Sequence, residues 1–492
     1  MDIDEWLGKD LNDTGKMSHG MHPGISEANR RRSYQARPKR GSSCTAFGGP
    51  SPKGMIDKFT IVPIAACVFA LIVAPLLFYY SISDPTSMEG RPEPRIFWPA
   101  IATISILLVA RNYSRLRVPP HIAYLFAYLA FAGTSVLWAF SQDHSFVRYL
   151  QQLMIVTSIV LTTLLAAQTV DIMRAMFLIF AFALILNLYF VFGGSVTMAR
   201  YTSGLVDIGY QGYFIGKNYL GECATLAFLL SLHEMLYRGW RRVFGAIFVA
   251  ISVSLVFLSH SKTAFGLALI SPLFAVSTLA LRKVTRLSPA LILLSVPFCF
   301  VLLSHVSNFN FERISYILYG DSSLTGRTVI WDFANSEIAQ KPVFGWGYQS
   351  FWLVPNSPAY TEAPGWVKGM PNAHNGYYDT MLEMGYLGLA FLLAFIIATL
   401  HAIGRVADRD PRRALLLLSL AIFIILYNFF ESLWARGYEF LWVTFVIVAA
   451  EIGRYWGPFP LRRPAPGSRS LRAGFPDPSL PARGPRLRIG LS

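Results

Sequence analysis

Charge is scarce in this chain. Only 14% of its 492 residues are Asp, Glu, Lys or Arg, where soluble domains carry about a quarter, and this excludes an ordinary soluble fold. Cysteine is scarce too. Cys44 lies in a polar tail and Cys67, Cys223 and Cys299 lie in apolar runs, without the spacing of a metal site or a disulfide framework. No Walker A sequence is present, so ATP-driven transport has no support. The polar stretch from 305 to 375 lacks a DxD-like metal motif and a glycosidase-type carboxylate pair. No apolar run precedes residue 59, so 1–58 do not read as a signal peptide.

What the chain has is apolar sequence: 54% hydrophobic residues and a mean hydropathy of +0.44. The apolar runs are continuous rather than alternating, which predicts an all-α polytopic membrane protein and not a transmembrane barrel. About twelve spans are expected, near 59–82, 96–111, 121–140, 149–168, 174–193, 217–236, 242–259, 263–281, 287–304, 376–402, 413–430 and 437–453. Nine precede a large loop at 305–375 and three follow it. The Gly/Ser/Arg-rich stretch 1–58 and the Pro/Arg-rich stretch 459–492 are expected to be disordered cytoplasmic tails.

The net charge of +15 does not point to nucleic acid, because the basic residues gather in the tails and in alternate short loops. Arg111, Arg115 and Arg117, then Arg174, then Arg238, Arg241 and Arg242, then Arg282, Lys283 and Arg286, then Arg405, Arg409, Arg412 and Arg413 mark every second loop. Such alternation places those loops in the cytoplasm and the 305–375 loop on the outer side. A polar loop of that length is commonly functional.

The few basic residues left on the outer side then stand out. Arg148, Lys217, Lys262 and Arg327 each sit where a helix is expected to begin, as do His374 and Asn375. Helix N-termini offer unpaired N–H groups and the positive end of the dipole, so added cations make a candidate phosphate or diphosphate clamp. A single interfacial Lys or Arg ordinarily snorkels to the headgroups; the grouping on one side favours the anion site. Arg327 opens an expected amphipathic helix with Ile330, Phe333, Ala334 and Ile338 on one stripe. His374 is the candidate general base for a sugar hydroxyl, the alternatives being a capping or stacking role. Asp379 and Glu383 share a helix face at i, i+4 and are expected to orient His374 or to balance the basic cluster. Asn218, Asn375 and Glu431 are expected to support the site, with Glu222 raising the same question. Trp331, Trp346, Tyr348, Phe351, Trp352 and Trp366 suit either an interfacial belt or stacking on sugar rings.

In order along the chain these residues resemble the O-antigen ligase and Wzy-type polymerase superfamily, above all its exopolysaccharide-production branch. Trp138 to Ser141 with Ser145 and Arg148 is similar to the family's early Trp-Ser…Ser…Arg motif. Lys217-Asn218-Tyr219-Leu220-Gly221 is similar to its Lys-Asn-x-Leu-Gly element, and Ser259-His260-Ser261-Lys262-Thr263 to its Ser-x-Ser-[Arg/Lys]-Thr element. Gly326-Arg327-Thr328 with Trp331, Lys341 to Gly347, Ala373-His374-Asn375-Gly376, Glu383-x-Gly385-x-x-Gly388 and Asn428 to Ser432 before Trp442 complete the series. Two positions depart: Gly216 stands where the family often has His, and Lys262 where Arg is common. A Lys lacks the bidentate fork.

The resemblance implies a GT-C-like helical fold in a bacterial inner membrane, with a periplasmic active site and no cofactor or metal. It implies a polyprenyl-diphosphate-linked oligosaccharide as donor, a glycan hydroxyl as acceptor, and membrane lipids, a flippase and a chain-length regulator as partners. Arg148, Lys217, Lys262 and Arg327 would bind the diphosphate and His374 would act at the acceptor. The expected activity is polymerisation of lipid-linked repeat units. The alternatives are a ligase that moves finished glycan to lipid A core and, from another class, a transporter or flippase of lipid-linked sugars. A transporter should place its ionisable residues near the midplane in repeated halves, and no inverted repeat is visible.

Overall fold

The computed structural model of the chain describes residues 59–77, 92–167, 169–193, 200–203, 206–307, 326–437 and 439–456. The 1–58 and 459–492 tails, Cys44 and the 308–325 part of the large loop lie outside the described residues. The helices are α1 (Ile61–Leu77), α2 (Pro92–Arg111), α3 (Pro120–Ser135), α4 (Gln142–Leu165), α5 (Ile172–Gly193), α6 (Lys217–Met235), α7 (Trp240–Leu258), α8 (Lys262–Thr285) and α9 (Pro289–Ser307). Then follow α10 (Arg327–Gln340), the short α11 (Pro358–Thr361), α12 (Gly376–Ala407), α13 (Pro411–Tyr427) and α14 (Phe440–Arg454).

A helix stands at each of the twelve positions where the apolar runs predicted a span. Seven of the described helices are long and apolar enough to cross a membrane: α3 with its 3₁₀ extension, α4, α5, α7, α8, α9 and α12. The remaining five are shorter or more polar. At 1.5 Å per residue the 15 residues of α14 reach about 22 Å, short of a ~30 Å hydrocarbon core. Burial explains how so short a helix is accommodated. α14 is apolar on every face, which is the pattern of an enclosed helix, and all of it except Arg454 is buried, against α4, α13, α12, α1 and α3. α9 is the opposite case. Leu291, Val296, Phe298, Val301 and Leu302 are all exposed, as lipid-facing residues are.

One element departs from the all-helical expectation. A two-stranded antiparallel ladder joins β1 (Arg200–Ser203) to β2 (Val206–Tyr210), with Thr202 opposite Asp207. β-Branched residues at Thr202, Val206 and Ile208 suit a pleated strand, but so short a stretch carries no apolar run to reveal it.

The described part of the large loop, 326–375, is folded. The stripe Ile330, Phe333, Ala334 and Ile338 of α10 is buried, together with Trp346, Phe351, Trp352, Val367 and Ala373, in a core of its own. The loop also docks into the helical body. At Gly385 the α12 backbone leaves helical geometry (φ 66°), which frees neighbouring N–H and C=O groups. Those groups find partners in the 342–347 segment: Trp346 N donates to Leu382 O (2.8 Å), Gly347 N to Glu383 O (2.8 Å) and Tyr386 N to Pro342 O (2.8 Å). A kink at membrane depth is tolerated where such partners exist. A Cβ on Gly385 would lie 2.2 Å from the Val343 carbonyl carbon, so only glycine permits the approach.

Candidate active site

The N-terminal ends of α6, α8, α10 and α12 meet around one carboxylate, Glu431, in the turn that follows α13. Each motif contributes a local reason. Gly221 lets α6 press against the start of α8; a Cβ there would come within 2.8 Å of Ala264 Cβ and 3.0 Å of Ser261 Cβ. Ser261 caps α8 and donates to Asn218 Oδ1 at 3.1 Å. Gly326, at φ 86°, turns the chain into α10 so that Arg327 is its first residue. His374 adopts a left-handed conformation (φ 49°) that few non-glycine residues occupy, held by Asn372 Oδ1 accepting from its backbone N–H (2.9 Å). Asn375 caps α12 by accepting from Tyr377 N and Tyr378 N.

The segment after α13 is stitched to this turn. Gly376 N donates to Asn428 O (2.8 Å) and Glu431 O (3.1 Å), and Asn375 N donates to Ser432 Oγ (3.0 Å). Asn428 Oδ1 accepts from Leu433 N and Trp434 N.

Three donors then converge on Glu431. Asn218 Nδ2 lies 3.0 Å and Arg327 Nη2 3.1 Å from Oε1, and His374 Nδ1 lies 2.9 Å from Oε2. A carboxylate only accepts, so Nδ1 carries a proton, and in the neutral ring Nε2 has the lone pair. The His374 side chain is 30% exposed and Glu431 only 14%, so the histidine is the member a substrate can reach. Lys217 and Lys262, the first residues of α6 and α8, lie close enough to feel one another's charge.

The other residues singled out in the sequence occupy different surroundings. Arg148 Nη1 donates to the Gln349 carbonyl at 2.6 Å. It belongs to a socket in which Ser145 Oγ donates to Tyr348 O (2.6 Å), Ser141 N to Ser350 Oγ (2.6 Å), Trp138 Nε1 to Phe344 O (3.1 Å) and Tyr348 N to Ser135 Oγ (3.0 Å). The early Trp-Ser…Ser…Arg motif therefore grips the Phe344–Trp352 segment of the loop. Asp379 and Glu383 are paired with Arg436 (2.8 and 3.5 Å). Asp379 Oδ1 also accepts from Trp352 Nε1 (2.8 Å) and Ala373 N (3.0 Å). The carboxylate on His374 is that of Glu431.

Arg436 is the residue that the sequence reading passed over, although the signal existed: it is a cation beside a loop that the charge alternation places outside. In the large loop, Glu337 on α10 is 2% exposed. Burial, and then the nearby Glu362 carboxylate, push it up to about 7 against a hydrogen bond from Gln340.

Residues 246–393 match the family model Wzy_C, described as O-antigen ligase. That span holds Lys262, Arg327 and His374. The chain is also similar to the exopolysaccharide production protein ExoQ of Rhizobium meliloti (strain 1021), with 25% identity over 366 residues, which is 71% of this chain and 79% of that protein. Over these spans the chain is thus similar to the O-antigen ligase family and to an exopolysaccharide production protein. Its seven long apolar helices are those of a multi-pass membrane protein.

Proposed function

We propose that the protein is a glycosyltransferase that moves a polyprenyl-diphosphate-linked glycan onto a glycan hydroxyl, extending an exopolysaccharide or O-antigen chain. The observation that carries this reading is the convergence of Asn218, Arg327 and His374 on the Glu431 carboxylate. It supports a general base of fixed tautomer beside cations at helix starts. The acceptor oxygen bonds to the anomeric carbon as the bond to the donor diphosphate breaks. The hydroxyl proton passes to His374 Nε2, and the negative charge departs on the diphosphate. Arg327, with Lys217 and Lys262, stabilises that leaving charge by fixed positive groups and helix dipoles, and the reaction needs no divalent ion. Arg148 is then best read as holding the loop that carries the site.

Twelve spans with the cluster on the periplasmic side of an inner membrane fit the charge alternation. The similarity to an exopolysaccharide production protein favours polymerisation, and the family's description as O-antigen ligase favours transfer of finished glycan to another acceptor. The test is incubation of the purified full chain with polyprenyl-diphosphate oligosaccharide from cells that make the protein, with and without lipid A core, in EDTA. Longer lipid-linked products without added acceptor support the polymerase, and glycan joined to lipid A core supports the ligase. Intact donor in both mixtures contradicts glycosyl transfer, and activity restored only by magnesium or manganese contradicts the metal-free step.

A further inference from the structure

We propose that Arg436 is a positioning residue for this transfer, fixing the Glu431 segment against the His374 turn. The inference rests on the reading above, in which His374 takes the acceptor proton. Glu431 and Arg436 lie in the same short connection between α13 and α14. Near Glu431 this connection is tied to the start of α12 by two hydrogen bonds, Gly376 N to the Glu431 carbonyl and Asn375 N to the Ser432 hydroxyl. Its far end is tied by the Arg436 guanidinium, 2.8 Å from Asp379 Oδ2 and 3.5 Å from Glu383 Oε1.

Asp379 in turn reaches toward the reactive turn. Its Oδ1 accepts from the N–H of Ala373, the residue before His374, and from the indole of Trp352. One carboxylate thus links three parts: the Arg436 connection, the strained His374 turn and the docked loop. Beside Arg436, Ala435 O accepts from Tyr348 OH and Gln349 Nε2, so Arg436 adds an ionic tie to an end already hydrogen-bonded and holds the Glu431 carboxylate toward His374 Nδ1. Without it that tie is lost, and Asp379 and Glu383 are left on one buried face without their Arg436 partner. Such a geometry is costly to leave uncompensated.

One guanidinium nitrogen, Nη2, meets both carboxylates; the shorter stem of lysine does not carry its ammonium as far, and the ammonium is more strongly hydrated. Arg436 touches neither proposed substrate, so its loss should appear in turnover rather than in donor affinity. A displacement of the base by about 1 Å can cost on the order of 10²-fold.

The experiment is a double-mutant cycle on the purified full chain in detergent, using polyprenyl-diphosphate oligosaccharide from cells that make the protein. Arg436→Lys keeps the charge and Asp379→Asn removes the same contact from the other side, so misfolding of one variant leaves the other informative. Each is expected to lower kcat by about 10- to 100-fold while the donor KM stays within about twofold. In a Glu431→Gln background, where the carboxylate that fixes the His374 tautomer is already gone, the same changes should cost no more than about twofold, the ordinary limit of additivity. Equal losses in both backgrounds, a loss confined to donor KM, or wild-type turnover of both variants would overturn the proposal. Normal turnover by His374→Ala would be a different failure, that of the underlying reading.

Discussion

At the scale of the residue, Glu431 organises the site. Its carboxylate accepts from Asn218, Arg327 and His374, and it is the His374 contact that fixes which ring nitrogen can take a proton. Glu431→Gln keeps the shape but presents an amide that can donate to Nδ1 and so favour the wrong tautomer. Turnover should fall by roughly 10²–10⁴-fold with thermal stability little changed; a kcat within a few-fold of wild type would remove Glu431 from this role. Glu337 supports a prediction of the other kind. Its carboxyl is buried and raised to about 7, above its value in the unfolded chain. The folded protein therefore holds this proton where the unfolded chain has lost it, and stability declines as pH rises from about 4.5 to about 7, then levels off. Glu337→Gln mimics the protonated form. It should raise the unfolding temperature of the purified protein at pH 8 more than at pH 5, and an equal shift at both would show that the carboxyl does not titrate there.

At the scale of the element, the loop and the helical body are one construction. The 342–347 segment satisfies the α12 backbone opened at Gly385, and the Ser141, Ser145 and Arg148 socket grips the next residues. Gly347 is where the two surfaces come closest: a Cβ would sit 2.3 Å from Ala139 Cα, at a φ of 97°. Gly347→Ala should therefore free the loop, seen as faster trypsin cleavage at the exposed Lys368 and as lost transfer. Unchanged protease resistance would show that the socket can yield. The helix positions were legible in the sequence because apolar runs report burial in lipid or protein directly. The partners of the motifs were not. Arg148 meets Gln349 across 201 residues and Arg327 meets Glu431 across 104, and spacing along a chain does not say which loops touch. Asp379 and Glu383 shared a face as their i, i+4 spacing required, yet their pairing with Arg436 was not legible, because no spacing links that cation to them. The β1–β2 ladder escaped for want of any periodic run long enough to read.

At the scale of the whole molecule, the account depends on which side of the membrane the cluster faces. The labelling position has to be chosen from the structure, since a loop serine such as Ser357 is fully buried and would report nothing. Thr361 is exposed. In a background lacking Cys44, Cys67, Cys223 and Cys299, a Thr361→Cys variant should react with an impermeant thiol reagent in intact spheroplasts; reaction only after lysis would reverse the topology. The alternation of basic loops predicts the outer side, and this labelling tests it. The chemistry at the site was legible only in outline, as cations and a histidine at helix starts, because the carboxylate that joins them was one of several candidates in the sequence. The most direct measurement is the comparison of donor binding and turnover in His374→Ala, purified and supplied with polyprenyl-diphosphate oligosaccharide. The account predicts that donor still binds while turnover falls by about 10²–10⁴-fold, the usual worth of a positioned proton acceptor; normal turnover, or loss of donor binding itself, would contradict it.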